Sequence, residues 1–234
     1  MRHIDPGAPD FRLFNKIRRR FITARGPFWS IHCDQNDKLV RWGFPLYGIV
    51  DGRSRFFLFL GVVDSNRSPE CVVQTYFDIV ERLNAVPLRL VSDRGTECSL
   101  AQIAQMSLRA DHPDPYAGVL SFTQTTSPND IPIERRWLTL RQDISDYWIE
   151  VFRDMESANE FIFGSMCCLY LSRFLCLHLI EADLHEHMLW SNHSTMRGLG
   201  GRPWEIFHRY VALVFVICPL HEYLPELFAR YQCQ

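Results

Sequence analysis

The 234-residue sequence has no C-x-x-C pair, although it holds eight cysteines: Cys33, Cys71, Cys98, Cys167, Cys168, Cys176, Cys218 and Cys233. That absence excludes a zinc ribbon or knuckle, which needs closely spaced thiolates. No stretch is long enough to span a bilayer. The apolar runs around Cys167–Ile180 and Tyr210–Leu220 are broken by Arg173, His178 and Pro219 and fall short of the ~20 residues required. The first residues, Met1–Phe14, are polar and contain proline, unlike a secretory leader. Unpaired cysteines inside apolar runs behave as small hydrophobes. We therefore expect a reducing compartment, nucleus or cytosol, and no membrane association. Repeats and low-complexity tracts are also missing. Neither charge sign dominates: the net charge is −2, so overall charge alone does not draw this chain to nucleic acid.

The residues present describe a folded chain. Hydrophobic residues make up 47%, aromatics 13% and charged residues 22%, enough to bury one sizeable core. Residues 1–26 read as a basic N-terminal arm interrupted by Pro6 and Pro9. Residues 27–155 read as the core, and 156–234 as a helical C-terminal extension packing on it. Within the core, Phe28–Asp34, Trp42–Val50 and Arg55–Val63 are apolar, β-rich runs. Asp51-Gly52 marks a turn between the last two. Val72, Val73, Tyr76, Phe77, Val80 and Leu83 fall on one helical stripe. Leu88–Ser92 is a short buried strand ending at Asp93-Arg94-Gly95, Leu100–Leu108 reads as a helix, and Val119–Thr123 as a short strand. Ser127–Asp130 starts a long helix carrying Ile133, Trp137, Leu140, Ile144 and Val151, with Pro132 in its first turn, where a missing N–H costs little. A three-strand meander followed by α/β alternation implies an α/β fold, a mixed five-stranded sheet flanked by helices.

Three acidic residues sit where such elements converge: Asp34 at the end of the first strand, Asp93 at the end of the fourth, and Glu134 in the first turn of the long helix. Ligand sites in open sheets form at strand ends of this kind. Three converging carboxylates repel one another unless a cation holds them, and magnesium or manganese suits an all-oxygen site. Asp51 reads as a turn residue. Glu97 is the rival to Glu134 and could also cap the helix that follows it. His185 and His187 lie two apart on a helix and point away from each other. His178 and Cys176 read as core.

The stretch WSIHCDQNDKLVRWGFPLYGIVDGRSRFF is similar to the first-carboxylate region of the integrase core of DDE-type transposases and retroviral integrases. Its nearest likeness is a eukaryotic, transposon-derived group. Ser92–Glu97 (SDRGTE) resembles the second-carboxylate motif, and Ile133–Trp137 (IERRW) the third. In relatives an Asn often lies four residues before the Glu and a basic residue two before it. Here those positions hold Asp130 and Pro132. Trp190–His193 with Pro203 resembles a stretch that follows the core, and otherwise reads as a helix–loop–helix corner.

The resemblance implies a ribonuclease-H-like fold and a DNA-acting enzyme. Two Mg2+ or Mn2+ ions would be held by Asp34, Asp93 and Glu134 for strand cleavage and transfer. It also implies a homo-oligomer that binds DNA. Arg18, Arg19, Arg20, Arg135, Arg136 and Arg141 are the candidate phosphate contacts. Two other functions share the fold: an inactive, domesticated module that binds DNA or protein, and a ribonuclease-H-type nuclease.

Overall fold

A computed structural model describes residues 26–214, apart from 66, 94, 126–130 and 197. The basic arm, with Arg18, Arg19 and Arg20, lies outside the described residues. The elements run β1 (Ser30–Asn36), β2 (Leu46–Asp51), β3 (Phe57–Val62), α1 (Pro69–Leu83), β4 (Arg89–Ser92), α2 (Ser99–Leu108), β5 (Phe122–Gln124), α3 (Ile131–Leu140), α4 (Asp146–Ser157), α5 (Met166–His193) and α6 (Pro203–Val214). The five strands form one sheet in the order β3-β2-β1-β4-β5. The meander β1–β2–β3 is antiparallel, whereas β1–β4 and β4–β5 are parallel. This is the mixed sheet expected from the sequence.

Local chemistry sets the boundaries. Helix α1 begins with Pro69 and ends at Asn84, whose φ of 47° lets its N–H close on the Val80 carbonyl, a left-handed cap. The β-rich run from Trp42 is not one strand. Val40–Trp42 forms a turn of 3-10 helix, and the strand proper starts at Leu46. Val119 likewise falls in a 3-10 turn before β5. The long helix is interrupted: Arg141–Ser145 is a π-helical segment between α3 and α4.

Pleat alternation sends side chains to two cores. Ile31, Cys33, Tyr47, Ile49 and Leu90 pack under α1 and α2, together with Phe207 of α6. Leu46, Val50, Phe57 and Leu60 pack under α3, α4 and α5, with Ile133, Phe152, Ile180 and Leu184. Helix α5 thus supplies core residues along β3. Its Cys176 is half-buried, but His178 is exposed, contrary to the core position expected for it. Apart from Ser172, Arg173 and His178 the first half of α5 is apolar, so burying one stripe leaves apolar residues of the opposite stripe in solvent. The six described cysteines are free. No described helix is long and apolar enough to cross a membrane.

Candidate active site

The parallel pair β1–β4 runs toward two of the expected carboxylates. Strand β1 pairs with β4 as Ser30↔Arg89, Ile31↔Leu90 and His32↔Val91. The pairing ends at His32↔Val91, two residues before Asp34 on β1 and two before Asp93, which follows the end of β4 at Ser92. Asp34 carries the parity opposite to Ile31 and Cys33, which pack under α1 and α2. Asp34 therefore stands on the sheet face that α3 covers.

Helix α3 is fastened there through Asp34. The Trp137 indole Nε1 donates to Asp34 Oδ2 at 2.9 Å. Gly48 lies opposite Asp34 in the β1–β2 register. A Cβ at position 48 would stand 2.6 Å from the indole, so only glycine leaves room for the ring over the sheet. Glu134 precedes Trp137 by three residues, a little under one turn, and is half-buried. The helix that carries the third carboxylate is thus tied to the first.

The rival carboxylate is also present. Glu97 is only 6% exposed and folds back onto the Cα of Gly95, where a Cβ would meet its carboxylate oxygens at 1.9 and 2.1 Å. Burial raises the Glu97 pKa first. Asp93, through its charge and a hydrogen bond, and Asp37 raise it further. Asp93 in turn accepts from the Gly95 N–H at 3.1 Å. Glu97 makes no side-chain cap on α2, whose N-cap is Cys98. Among the described residues, no three or more His, Cys, Asp and Glu side chains stand close enough together to hold one ion.

The sequence matches the integrase core domain family over residues 23–214. The chain belongs to that family. The matched span includes all three expected carboxylates, and the sheet is five-stranded and mixed, in the order β3-β2-β1-β4-β5. Among solved structures, the catalytic core domain of BIV integrase aligns with a TM-score of 0.49 at 13% identity. The alignment covers 80% of this chain and 98% of that one. No curated protein matches the sequence.

One expected DNA contact of this integrase core is overturned. Arg136 is 3% exposed. Its Nε donates to the Arg55 carbonyl at 3.0 Å, its terminal nitrogens bond Arg55 O and Ser191 Oγ, and the guanidinium sits 4.9 Å from the centre of the Phe57 ring. It faces inward because the helical stripe through Ile133 and Leu140 carries it toward the β2–β3 turn. There it satisfies Arg55, a residue held at φ 64°. Arg135 is exposed, and Arg141 is exposed but paired with Asp146 at 3.0 Å.

Sequence reasoning also missed what fixes α5. Asn192 accepts from the Phe57 N–H at 2.8 Å and donates to the Phe57 carbonyl at 3.2 Å, beside the point where the β2–β3 ladder shifts register. The Ser191-Asn192 pair of the post-core stretch is therefore a structural clasp. Its position in a motif was the available signal. Asp51 is a turn residue as expected: it is fully buried and accepts from Phe28, Arg53 and Ser54.

Proposed function

We propose that this integrase core catalyses phosphoryl transfer on DNA, cleaving and joining strands, with Asp34, Asp93 and Glu134 holding two Mg2+ or Mn2+ ions. The observation that carries the reading is the Trp137–Asp34 hydrogen bond, which ties the helix of Glu134 to the strand of Asp34. The residues suit hard divalent cations. Every donor is a carboxylate oxygen, and the Glu97–Asp93 contact is a like-charge approach that a cation relieves. When bound, such ions activate the attacking oxygen and stabilise the leaving one. The protein's own part is positioning. Trp137 fixes one Asp34 oxygen, the Gly95 N–H fixes Asp93, and the first turn of α3 presents Glu134 beside the exposed Arg135, which is placed to meet a DNA phosphate. The working compartment on this reading is the nucleus.

Self-association has its own support. Ile162, Phe163, Met166, Tyr170, Leu171, Phe174, Leu175 and Leu179 are all about half exposed or more, Phe174 at 81%. With ~150–250 Å2 for a whole aromatic side chain, this row offers on the order of 1,000 Å2, which is more than a monomer usually leaves open and close to one side of a stable interface. Arg41 lies over the Phe163 ring and His178 is exposed beside Phe174 and Leu175, so a second copy would meet an apolar row carrying these two polar groups.

The enzyme reading is tested by a Mg2+- or Mn2+-dependent 3′-processing assay on duplex DNA, comparing wild type with Asp93→Asn. Product from wild type alone supports it. Equal product from both, or none from either, leaves the inactive binding module as the reading.

A further inference from the structure

A second site lies on the same side of the sheet, away from the carboxylate cluster. The π-helical segment Arg141–Ser145 faces the second half of α5, and between them is a cavity of about 430 Å3. Its wall holds Asp143, Tyr147, Asp183, Glu186, His187 and Trp190, with Ile144 at its apolar side. Asp143 lies nine residues after Glu134, about 13 Å along a helical axis. π-turns of this kind recur at functional sites.

The wall is chemically one-sided. It presents three carboxylates, two large aromatic rings and no lysine or arginine. Two of the carboxylates are held in place by the protein. Asp183 accepts from the Trp148 indole at 2.8 Å, and Asp143 stands 3.3 Å from His187 Nδ1. His187 is 5% exposed, and its Nε2 is buried without a hydrogen-bond partner. Burial first, opposed by Asp143 and aided by the Arg136 charge, lowers the His187 pKa. Tyr147 and Trp190 are 60% and 58% exposed and frame the opening. Aromatic faces and carboxylates both favour a cation, and the rings with Ile144 suit a methylene stem. The volume is at the low end for ligand pockets, room for one long side chain. Phosphate is repelled by all three carboxylates.

We propose that this cavity binds a lysine or arginine side chain of a basic peptide, seated between Trp190 and Tyr147 with its charge on Asp143, Asp183 and Glu186. It is a protein-docking site independent of the metal-binding carboxylates, and its test does not depend on catalytic activity. The full chain, labelled with 15N at its tryptophan indoles, is titrated with N-acetyl-lysine methylamide, N-acetyl-arginine methylamide and the uncharged N-acetyl-norleucine methylamide. The expected result is a saturable shift of the Trp190 indole signal with at least one cation, at a dissociation constant on the order of 1–10 mM, and none with norleucine. Glu186→Gln and Tyr147→Ala, both at exposed positions, each weaken it at least fivefold. Absence of a saturable shift with either cation, an equal shift with norleucine, or undiminished affinity in both variants overturns the proposal. A saturable Trp190 shift on adding a DNA duplex also overturns it, in favour of a phosphate-binding surface.

Discussion

Replacing Arg136 with methionine separates a structural arginine from a DNA-binding one. The guanidinium donates to Arg55 O and Ser191 Oγ and lies over Phe57. Hydrogen bonds from a charged donor contribute ~1.5–3 kcal/mol each, and a desolvated cation–π contact contributes about 2 kcal/mol. Against this, burial and then the Arg55 charge lower the arginine pKa to about 10, which at ~1.4 kcal/mol per unit is about 3 kcal/mol lost to desolvation and like-charge repulsion together. The balance favours the arginine. Its loss also strands Ser191 and the Arg55 carbonyl. We expect Arg136→Met to cost about 3–4 kcal/mol, a Tm fall of roughly 10 °C for a domain of this size. Arg136→Lys should fall between, because an ammonium cannot fork to both acceptors. Differential scanning calorimetry gives the stability, and DNA affinity is measured on the folded protein at fixed salt. An unchanged Tm with weakened DNA binding would refute the reasoning and return Arg136 to the surface.

Three further predictions follow from the packing. Asn192→Ala leaves the Phe57 N–H and carbonyl without their partner and should cost about 2–4 kcal/mol by urea unfolding; a loss under ~0.5 kcal/mol contradicts the clasp. His187 has a folded pKa below its unfolded value, burial being the main cause. The stability tied to its neutral form is present above about pH 6.5 and is lost as pH falls through the folded pKa. The Tm decline from pH 7 to pH 5 should therefore be shallower in His187→Gln, and an identical slope speaks against the assignment. Phe174→Glu, at an 81% exposed position, should shift a dimer to monomer by sedimentation without lowering Tm; a monomeric wild type, or an unaffected dimer, removes α5 as the contact.

Strand and helix order was legible because packing on both faces makes β3 a continuous apolar run and packing on one face gives α1 a helical stripe, and both are visible in residue type. The sites where reading failed share a cause. The Trp42 and Val119 runs are apolar enough for strands, yet backbone hydrogen bonding turns them into 3-10 helix, and apolarity does not report that. Arg136 sits in a basic pair with Arg135, and composition cannot say which of two neighbours a helix turns inward. His178 follows from the same limit: apart from Ser172, Arg173 and His178 itself the first half of α5 is apolar, so no stripe marked its exposed side. The candidate carboxylates were legible as residues at strand ends. The Trp137–Asp34 bond, which brings the Glu134 helix to Asp34, depends on a glycine in a neighbouring strand.

The central claim is that Asp34, Asp93 and Glu134 share bound metal. Anomalous diffraction from crystals soaked in Mn2+ tests it most directly. The account predicts manganese peaks coordinated by Asp34, Asp93 and Glu134, with Glu97 no longer hydrogen-bonded to Asp93. Manganese held by Asp93 and Glu97 without Glu134, or no peak on this face of the sheet, would contradict it.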